Sequence, residues 1–308
     1  MLYNGHVINP DPYLLPNYKL SPFANSDIAV NSNLPVADSC DQYFKDKHGS
    51  SFFKYTMNGR KALNIALGEL HLQENEIVSI ITTTQNFYIS SCVTNEIEKF
   101  CKWNREVVEE TKAILINHEF GLPYEKLIDL KRLNIPIIED CAYSFNSNDR
   151  HLSVGTVGDY LVYSFPKFFP IQIGGLLVSK KELNAERGMS FDEESYLKSV
   201  LSHYIPFINP ISKSRRNNYS YLKGRFEEIG LPSRFGELED SAVPGVFMFE
   251  LPTHLNALDL KKFLYQNGVE CSVFYGEQSL FIPCHHRLTT SDLDYFISLV
   301  DFYLNQNN

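Results

Sequence analysis

Apolar residues recur along this chain with two different periods, one typical of helices and one typical of strands. In the stretch 59–72 they return every three to four positions, which predicts an amphipathic helix. Short continuous apolar runs follow, separated by stretches with helical periodicity. We predict strands at 76–83, 113–117 and 134–140, and helices at 88–100 and 125–133.

The order of these elements indicates an architecture. Strands that alternate with helices predict an α/β domain with a mostly parallel central sheet flanked by helices. Ligands bind such sheets beyond the carboxyl ends of the strands, where Asp140 falls. A second strand leads to Ser164, with Lys167 three residues on, and the pair Gly174-Gly175 opens a third.

Changes in this pattern divide the chain into three parts. Residues 1–50 are rich in Asn, Pro, Asp and Ser with little periodicity, so we expect an extended arm with room for one short helix. Residues 51–185 form the predicted large domain. Residues 186–308 predict a smaller α+β domain, with elements at 192–205, 211–229, 245–251, 258–267, 269–275 and 290–305.

Composition and charge narrow the class of protein. A chain of 308 residues with 44% hydrophobic content can bury a large core. Its net charge of -9 argues against a nucleic-acid partner. No apolar stretch approaches the roughly 20 residues of a membrane span, and the N-terminal sequence does not resemble a signal peptide. Six scattered cysteines without a C-x-x-C pair are typical of reduced thiols, so we expect a cytoplasmic protein.

Asp140, Ser164 and Lys167 offer a carboxylate, a hydroxyl and an amine in a fixed order, which suits pyridoxal 5'-phosphate (PLP). A carboxylate can keep the pyridine nitrogen protonated, so that the ring withdraws electrons. The hydroxyl can donate to the phosphate. The amine can bond to the aldehyde and later move a proton. We expect the neighbouring Phe165 and Phe168 to shield this amine from water.

The phosphate and the ring of such a cofactor need further partners. A helix N-terminus favours an anion because its first amides are unpaired and its dipole is positive there. Asn58, Gly59 and Arg60 lie at the start of the first amphipathic helix and predict this site. Phe87 or Tyr88, after the next strand, could stack on the ring. Singly, each of these residues is commonplace; their order and spacing carry the signal.

The segments IIEDCAYSF, VGDYLVYSFPK and GGLLVS resemble the DegT/DnrJ/StrS-type PLP-dependent sugar aminotransferases, a family of the aspartate aminotransferase fold type I. The resemblance implies that Asp140 binds the pyridine nitrogen, Ser164 binds the phosphate, and Lys167 forms the Schiff base. It adds Ala142 and Tyr143 to the cofactor-binding residues. NGRKALNIAL is similar to the family's phosphate-binding turn and helix.

Some positions depart from the family pattern. Ser164 and Lys167 are three residues apart instead of five, and Tyr143 stands where Gln or His is usual. Arg60 replaces a small hydroxyl residue, and it could add a charge to the phosphate site or point outward. The family's N-Y-R-m segment, through which a neighbouring subunit reaches the active site, is not recognisable between 180 and 220.

The resemblance implies an aminotransferase that moves an amino group from glutamate to a nucleotide-linked keto-sugar, for surface polysaccharide or related biosynthesis. It also implies a homodimer with the active site near the subunit interface. Two alternatives stay open. One is a PLP enzyme that acts on a non-sugar carbonyl or amino acid, and the other is a non-catalytic PLP-binding protein on the same scaffold.

Three other groups of residues predict no chemistry of their own. Cys284, His285 and His286 are adjacent in a loop and cannot all face one ion without distortion, so we expect no metal site. Cys141 is expected to be a small buried residue. Arg215, with the arginine after it, is expected on a solvated helix face.

Overall fold

The chain folds into two compact units. The structure, a computed structural model, describes residues 2–3, 6–7, 16–49, 52–184 and 188–307. We call residues 23–209 and 239–243 the larger unit. The smaller unit contains the described residues up to 22, together with 210–238 and 244–307. The domain boundaries near 50 and 185 that the sequence suggests stay a prediction.

Helices and strands alternate through the first two thirds of the chain. The helices are α1 (Asp27–Ser32), α2 (Ser39–His48), α3 (Gly59–Glu69), α4 (Ser91–Ile97), α5 (Leu127–Lys131), α6 (Phe191–Tyr204), α7 (Ile208–Glu228), α8 (Ala257–Gln266) and α9 (Thr290–Asn307). The strands are β1 (Leu2–Tyr3), β2 (His6–Val7), β3 (Phe52–Thr56), β4 (Ile77–Thr82), β5 (Lys102–Asn104), β6 (Thr111–Asn117), β7 (Ile137–Asp140), β8 (Tyr160–Ser164), β9 (Gly175–Ser179), β10 (Val246–Glu250), β11 (Ser272–Phe274) and β12 (Ser279–Pro283).

The centre of the larger unit is a seven-stranded sheet of order β3-β9-β8-β7-β6-β4-β5. The pairs from β5 to β8 are parallel, whereas β9 and β3 run antiparallel to their neighbours. The predicted α/β class with a mostly parallel sheet is therefore confirmed. The carboxyl ends of β4, β6, β7 and β8 lie along one edge, which we call the carboxyl edge.

Helix α3 packs against this sheet, and its first residue lies at the carboxyl edge. Its apolar face, which includes Ala62 and Leu67, is fully buried with residues of β4 and β6. Asn58 caps its first turn, because the side-chain Oδ1 accepts a hydrogen bond from the Lys61 amide at 3.0 Å. The cap determines where the helix begins, and so where its free amides lie.

Periodicity located most elements to within a few residues, but five short strands were missed. These are β1, β2, β3, β5 and β12. The expectation of an extended arm with one short helix was also wrong, because α1 and α2 both lie within residues 23–49. Helix α2 packs on α6, and Lys198 forms an ion pair with Asp41 at 2.9 Å. Most of residues 1–15 lies outside the described residues.

The smaller unit has a three-stranded antiparallel sheet of order β10-β12-β11, covered by α7, α8 and α9. Arg215 of α7 is 1% exposed and donates to the carbonyl oxygen of Pro244 at 3.3 Å, so its expected solvated position was wrong. Cys284 and His285 are buried as well. Burial, with the nearby Arg215, lowers the pKa of His285 to about 3, so this ring is neutral.

Among the described residues, none of the helices is long and apolar enough to cross a membrane.

Candidate functional site

Three of the residues singled out in the sequence lie together at the carboxyl edge. Asp140 ends β7 and is 9% exposed, and Ser164 ends the neighbouring strand β8. Gly59, the first residue of α3, faces Ser164 so closely that a Cβ atom on Gly59 would lie 3.1 Å from the Ser164 Cβ. The turn before α3 therefore lies directly against the end of β8.

Strand β9 approaches the same turn from the other side. A Cβ atom on Gly175 would lie 2.6 Å from the carbonyl carbon of Asn58, a distance that real side chains do not tolerate. Glycine is thus required where β9 passes the turn. The first amides of a helix have no partner within the helix, so those of Gly59 and Arg60 are at hand for an anion. The Arg60 side chain is exposed.

Lys167 lies in a short 3-10 turn, Phe165–Lys167, directly after β8. Its Nζ atom lies 3.7 Å above the centre of the Tyr143 ring. The expectation that flanking phenylalanines would shield this amine was wrong, because Lys167 stays partly exposed. Those side chains are instead buried around Phe145: Phe165, Phe168 and Phe169.

The residue before Asp140 ties this strand end to a loop. Glu139 is fully buried, and its Oε2 accepts a hydrogen bond from the Gly155 amide at 2.7 Å. Its Oε1 accepts from the amides of Val157 at 3.2 Å and Gly158 at 2.5 Å. Three backbone amides therefore hold this carboxyl group in one position. This arrangement fixes the backbone of Asp140 through its neighbour.

Glu139 belongs to a trio of groups whose atoms are of the kinds that ligate metals. The ligand atoms of His118, Glu139 and Cys141 lie within 4.8 Å of one another, and all three residues are buried. His118 Nδ1 accepts from the Tyr124 amide at 3.0 Å, so its proton is on Nε2 and faces Glu139 at 3.2 Å. Burial raises the pKa of Cys141 well above its usual value, so it stays a thiol.

The two aromatic residues expected near the cofactor ring follow β4 on a loop at the same edge. Phe87 is 79% exposed and Tyr88 is 40% exposed. The base of the loop is held firmly, because Glu119 Oε2 accepts from the amide of Thr84 at 2.8 Å and from its hydroxyl at 2.6 Å. Arg105 Nη2 donates to a loop carbonyl oxygen at 2.9 Å. The sequence carried no signal for these supports, since they come from three separate segments.

Solved structures with the same architecture define the class of fold. The aminotransferase TlmJ from Streptoalloteichus hindustanus has a TM-score of 0.76 at 16% identity, over 94% of this chain and 99% of that one. The E. coli GDP-4-keto-6-deoxy-D-mannose-3-dehydratase with bound hydrated PLP has a TM-score of 0.69 at 15% identity, over 93% and 100%. The fold is that of the type I PLP-dependent transferases.

Sequence comparisons show similarity to one family of aminotransferases. Residues 99–205 match the model of the DegT/DnrJ/EryC1/StrS aminotransferase family. GDP-perosamine synthase from Escherichia coli O157:H7 is 29% identical over 169 residues, which are 48% of this chain and 46% of that protein. The chain spans about half the length of the curated relatives it matches. The resemblance read from the motifs is confirmed.

Proposed function

We propose that this chain is a PLP-dependent aminotransferase that transfers an amino group from glutamate to a nucleotide-linked keto-sugar, for surface polysaccharide or related biosynthesis. The observation that carries the proposal is the assembly of Asp140, Ser164, Lys167 and the Asn58-Gly59 turn at one sheet edge. The similarity to GDP-perosamine synthase supports a sugar-nucleotide acceptor. We also propose a cytoplasmic homodimer with the active site near the subunit interface.

The groups at this edge fit PLP. When bound, PLP supplies an aldehyde that reacts with amines and a ring that withdraws electrons from a bonded carbon. Asp140 would hold a proton on the ring nitrogen. The Ser164 hydroxyl would donate to the phosphate, together with the first amides of α3. The remaining cofactor contacts would come from residues that border these groups: Arg60, Phe87 or Tyr88, Ala142 and Tyr143.

In this proposal, different residues of the chain have different roles in amino-group transfer. The Lys167 amine would hold the aldehyde carbon, and once released it would take and return a proton at Nζ. Asp140 is largely removed from water, which strengthens its interaction with a nearby positive charge. Glu139 would keep that carboxylate in place through the backbone, because three amides hold Glu139 itself.

Replacing the lysine tests the assignment. Purified Lys167→Ala should lose the absorbance at roughly 410–430 nm that PLP bonded to an amine gives. Borohydride reduction followed by peptide mapping should place PLP on Lys167 in the wild type. Lys181→Ala, an exposed lysine just beyond β9, is the matched control and should bind PLP normally. A Lys167→Ala protein that keeps the absorbance would refute the assignment.

The substrates need a separate experiment. Glutamate added to the PLP-loaded wild type should abolish that absorbance, and a nucleotide-linked keto-sugar should restore it. Restoration by simple keto acids alone would favour an enzyme of non-sugar carbonyls. No change with any amino donor, despite covalently bound PLP, would favour a non-catalytic PLP-binding protein.

A further inference from the structure

The amine of Lys167 is held by an aromatic ring. Its Nζ lies 3.7 Å from the centre of the Tyr143 ring, well inside the roughly 6 Å within which a cation is attracted to a ring face. Both side chains are partly exposed. Lys167 is thus confined on one side before any ligand arrives.

The Tyr143 ring lies next to a second aromatic ring. The ring of Phe120 lies 5.8 Å from it, centre to centre. Phe120 adopts a left-handed backbone conformation with φ of 55°, which is unfavourable for a bulky residue and persists only where surrounding contacts enforce it. Those contacts come from its neighbours, since Glu119 holds Thr84 and His118 faces Glu139.

We propose that Tyr143 is a positioning residue for Lys167, and that its ring face keeps the Lys167 amine at the carboxyl edge, ready for the cofactor aldehyde. This inference rests on the proposed function, in which Lys167 forms the covalent bond. A lysine side chain has four rotatable bonds and loses much entropy when it is confined. The ring restricts those rotations before the cofactor binds. The face of the ring, and not the hydroxyl, makes the contact.

The contact can be measured in the full-length protein without cofactor. Lysines are methylated reductively with ¹³C-formaldehyde, and the Lys167 signal is assigned by its absence from Lys167→Arg. Because nuclei above a ring face are shielded, the wild-type Lys167 methyl signal should lie upfield of those of exposed lysines. Tyr143→Phe should keep this position and Tyr143→Leu should lose it. An unchanged signal in Tyr143→Leu would overturn the proposal.

The consequence is measured as the rate at which PLP becomes covalently bound. Tyr143→Leu should be roughly threefold to tenfold slower than Tyr143→Phe, which keeps the ring face, as expected for loss of one cation–ring contact. Lys181→Ala should match the wild type. If Tyr143→Phe were as slow as Tyr143→Leu, the hydroxyl would be responsible and the proposal would be wrong.

Failure of the proposed function can be distinguished from failure of this inference about Tyr143. If wild-type protein never bonds PLP at Lys167, the proposed function fails, while the methyl signals still decide whether Tyr143 holds the amine. If Tyr143→Leu does not fold, Phe120→Gly replaces it, because glycine accepts the left-handed conformation and removes the supporting ring. The Lys167 methyl signal should then move toward that of exposed lysines, and a fixed signal would contradict the proposal.

Discussion

Two basic side chains at the end of α2 have unusual acid–base properties because their charged forms would be poorly solvated. Lys47 Nζ donates to the carbonyl oxygen of Phe145 at 2.5 Å and lies 4.5 Å from the centre of the Phe145 ring. Burial lowers the pKa of Lys47 to about 8. Burial also lowers the pKa of His48 to about 4, with a further contribution from the Lys47 charge. Sequence reasoning attached no role to either residue.

His48 should make stability depend on pH. Its pKa of about 4 in the folded chain lies below its ordinary value of 6.5, so the unfolded chain binds more protons between these values. The free energy of unfolding should therefore fall as the pH drops through this window, by about 2 kcal/mol at pH 5 relative to pH 7.5. In His48→Phe, this contribution to the fall in the free energy of unfolding should disappear.

Urea unfolding at the two pH values measures the effect. His151→Phe, at an exposed position, is the control and should retain the wild-type pH dependence. Equal pH dependence in wild type and His48→Phe would contradict the assignment.

At the scale of elements, strand β9 passes very close to the turn before α3, and this approach shapes the turn. Strand β9 lies between β3 and β8, and Gly175 is the residue of β9 that pairs with both Thr56 and Ser164. The backbone of Asn58 occupies the space that a side chain at Gly175 would need. The phosphate site that we propose thus depends on a strand from a later part of the chain.

Gly175→Ala should push β9 and the turn apart. We expect a loss of stability of about 1–3 kcal/mol from overpacking, together with weaker PLP binding. Gly224→Ala is the control, because nothing lies within 4 Å of an added Cβ there and alanine favours the helix α7. Titration with PLP and urea unfolding measure the two effects. Gly175→Ala with normal PLP affinity would show that the turn does not need this approach.

The elements that sequence reasoning missed share a physical cause. Strand β5 has three residues at the edge of the sheet, and β12 has five residues that directly follow a loop. Neither is long enough to show a clear period. Strand β3 is stabilised by antiparallel pairing with β9, more than a hundred residues later. Elements such as α3 and β6 were predicted because their own residues carry a strong pattern.

Across the whole molecule, several large apolar side chains of the larger unit remain exposed. Phe87, Phe191 and Phe207 are among them. Exposed apolar side chains of this size are favourable contacts for another protein surface. With the family resemblance, they support the homodimer proposed above.

Light scattering of the purified full chain tests this proposal. The expected mass is about twice the 35.4 kDa of one chain. The dimer should persist at high salt if apolar side chains form the contact, because salt screens charges without weakening apolar burial. A mass of one chain at micromolar concentration would contradict the homodimer.

By itself, the sequence determined the alternation of strands and helices, the α/β class, and the strand-end residues Asp140, Ser164 and Lys167. These follow from local periodicity and from motifs within one stretch of chain. Only the tertiary structure decided that Tyr143 lies under the Lys167 amine and that Gly175 passes the turn before α3. Such contacts depend on strand order and register, which pair residues far apart in the chain, and no local pattern encodes them.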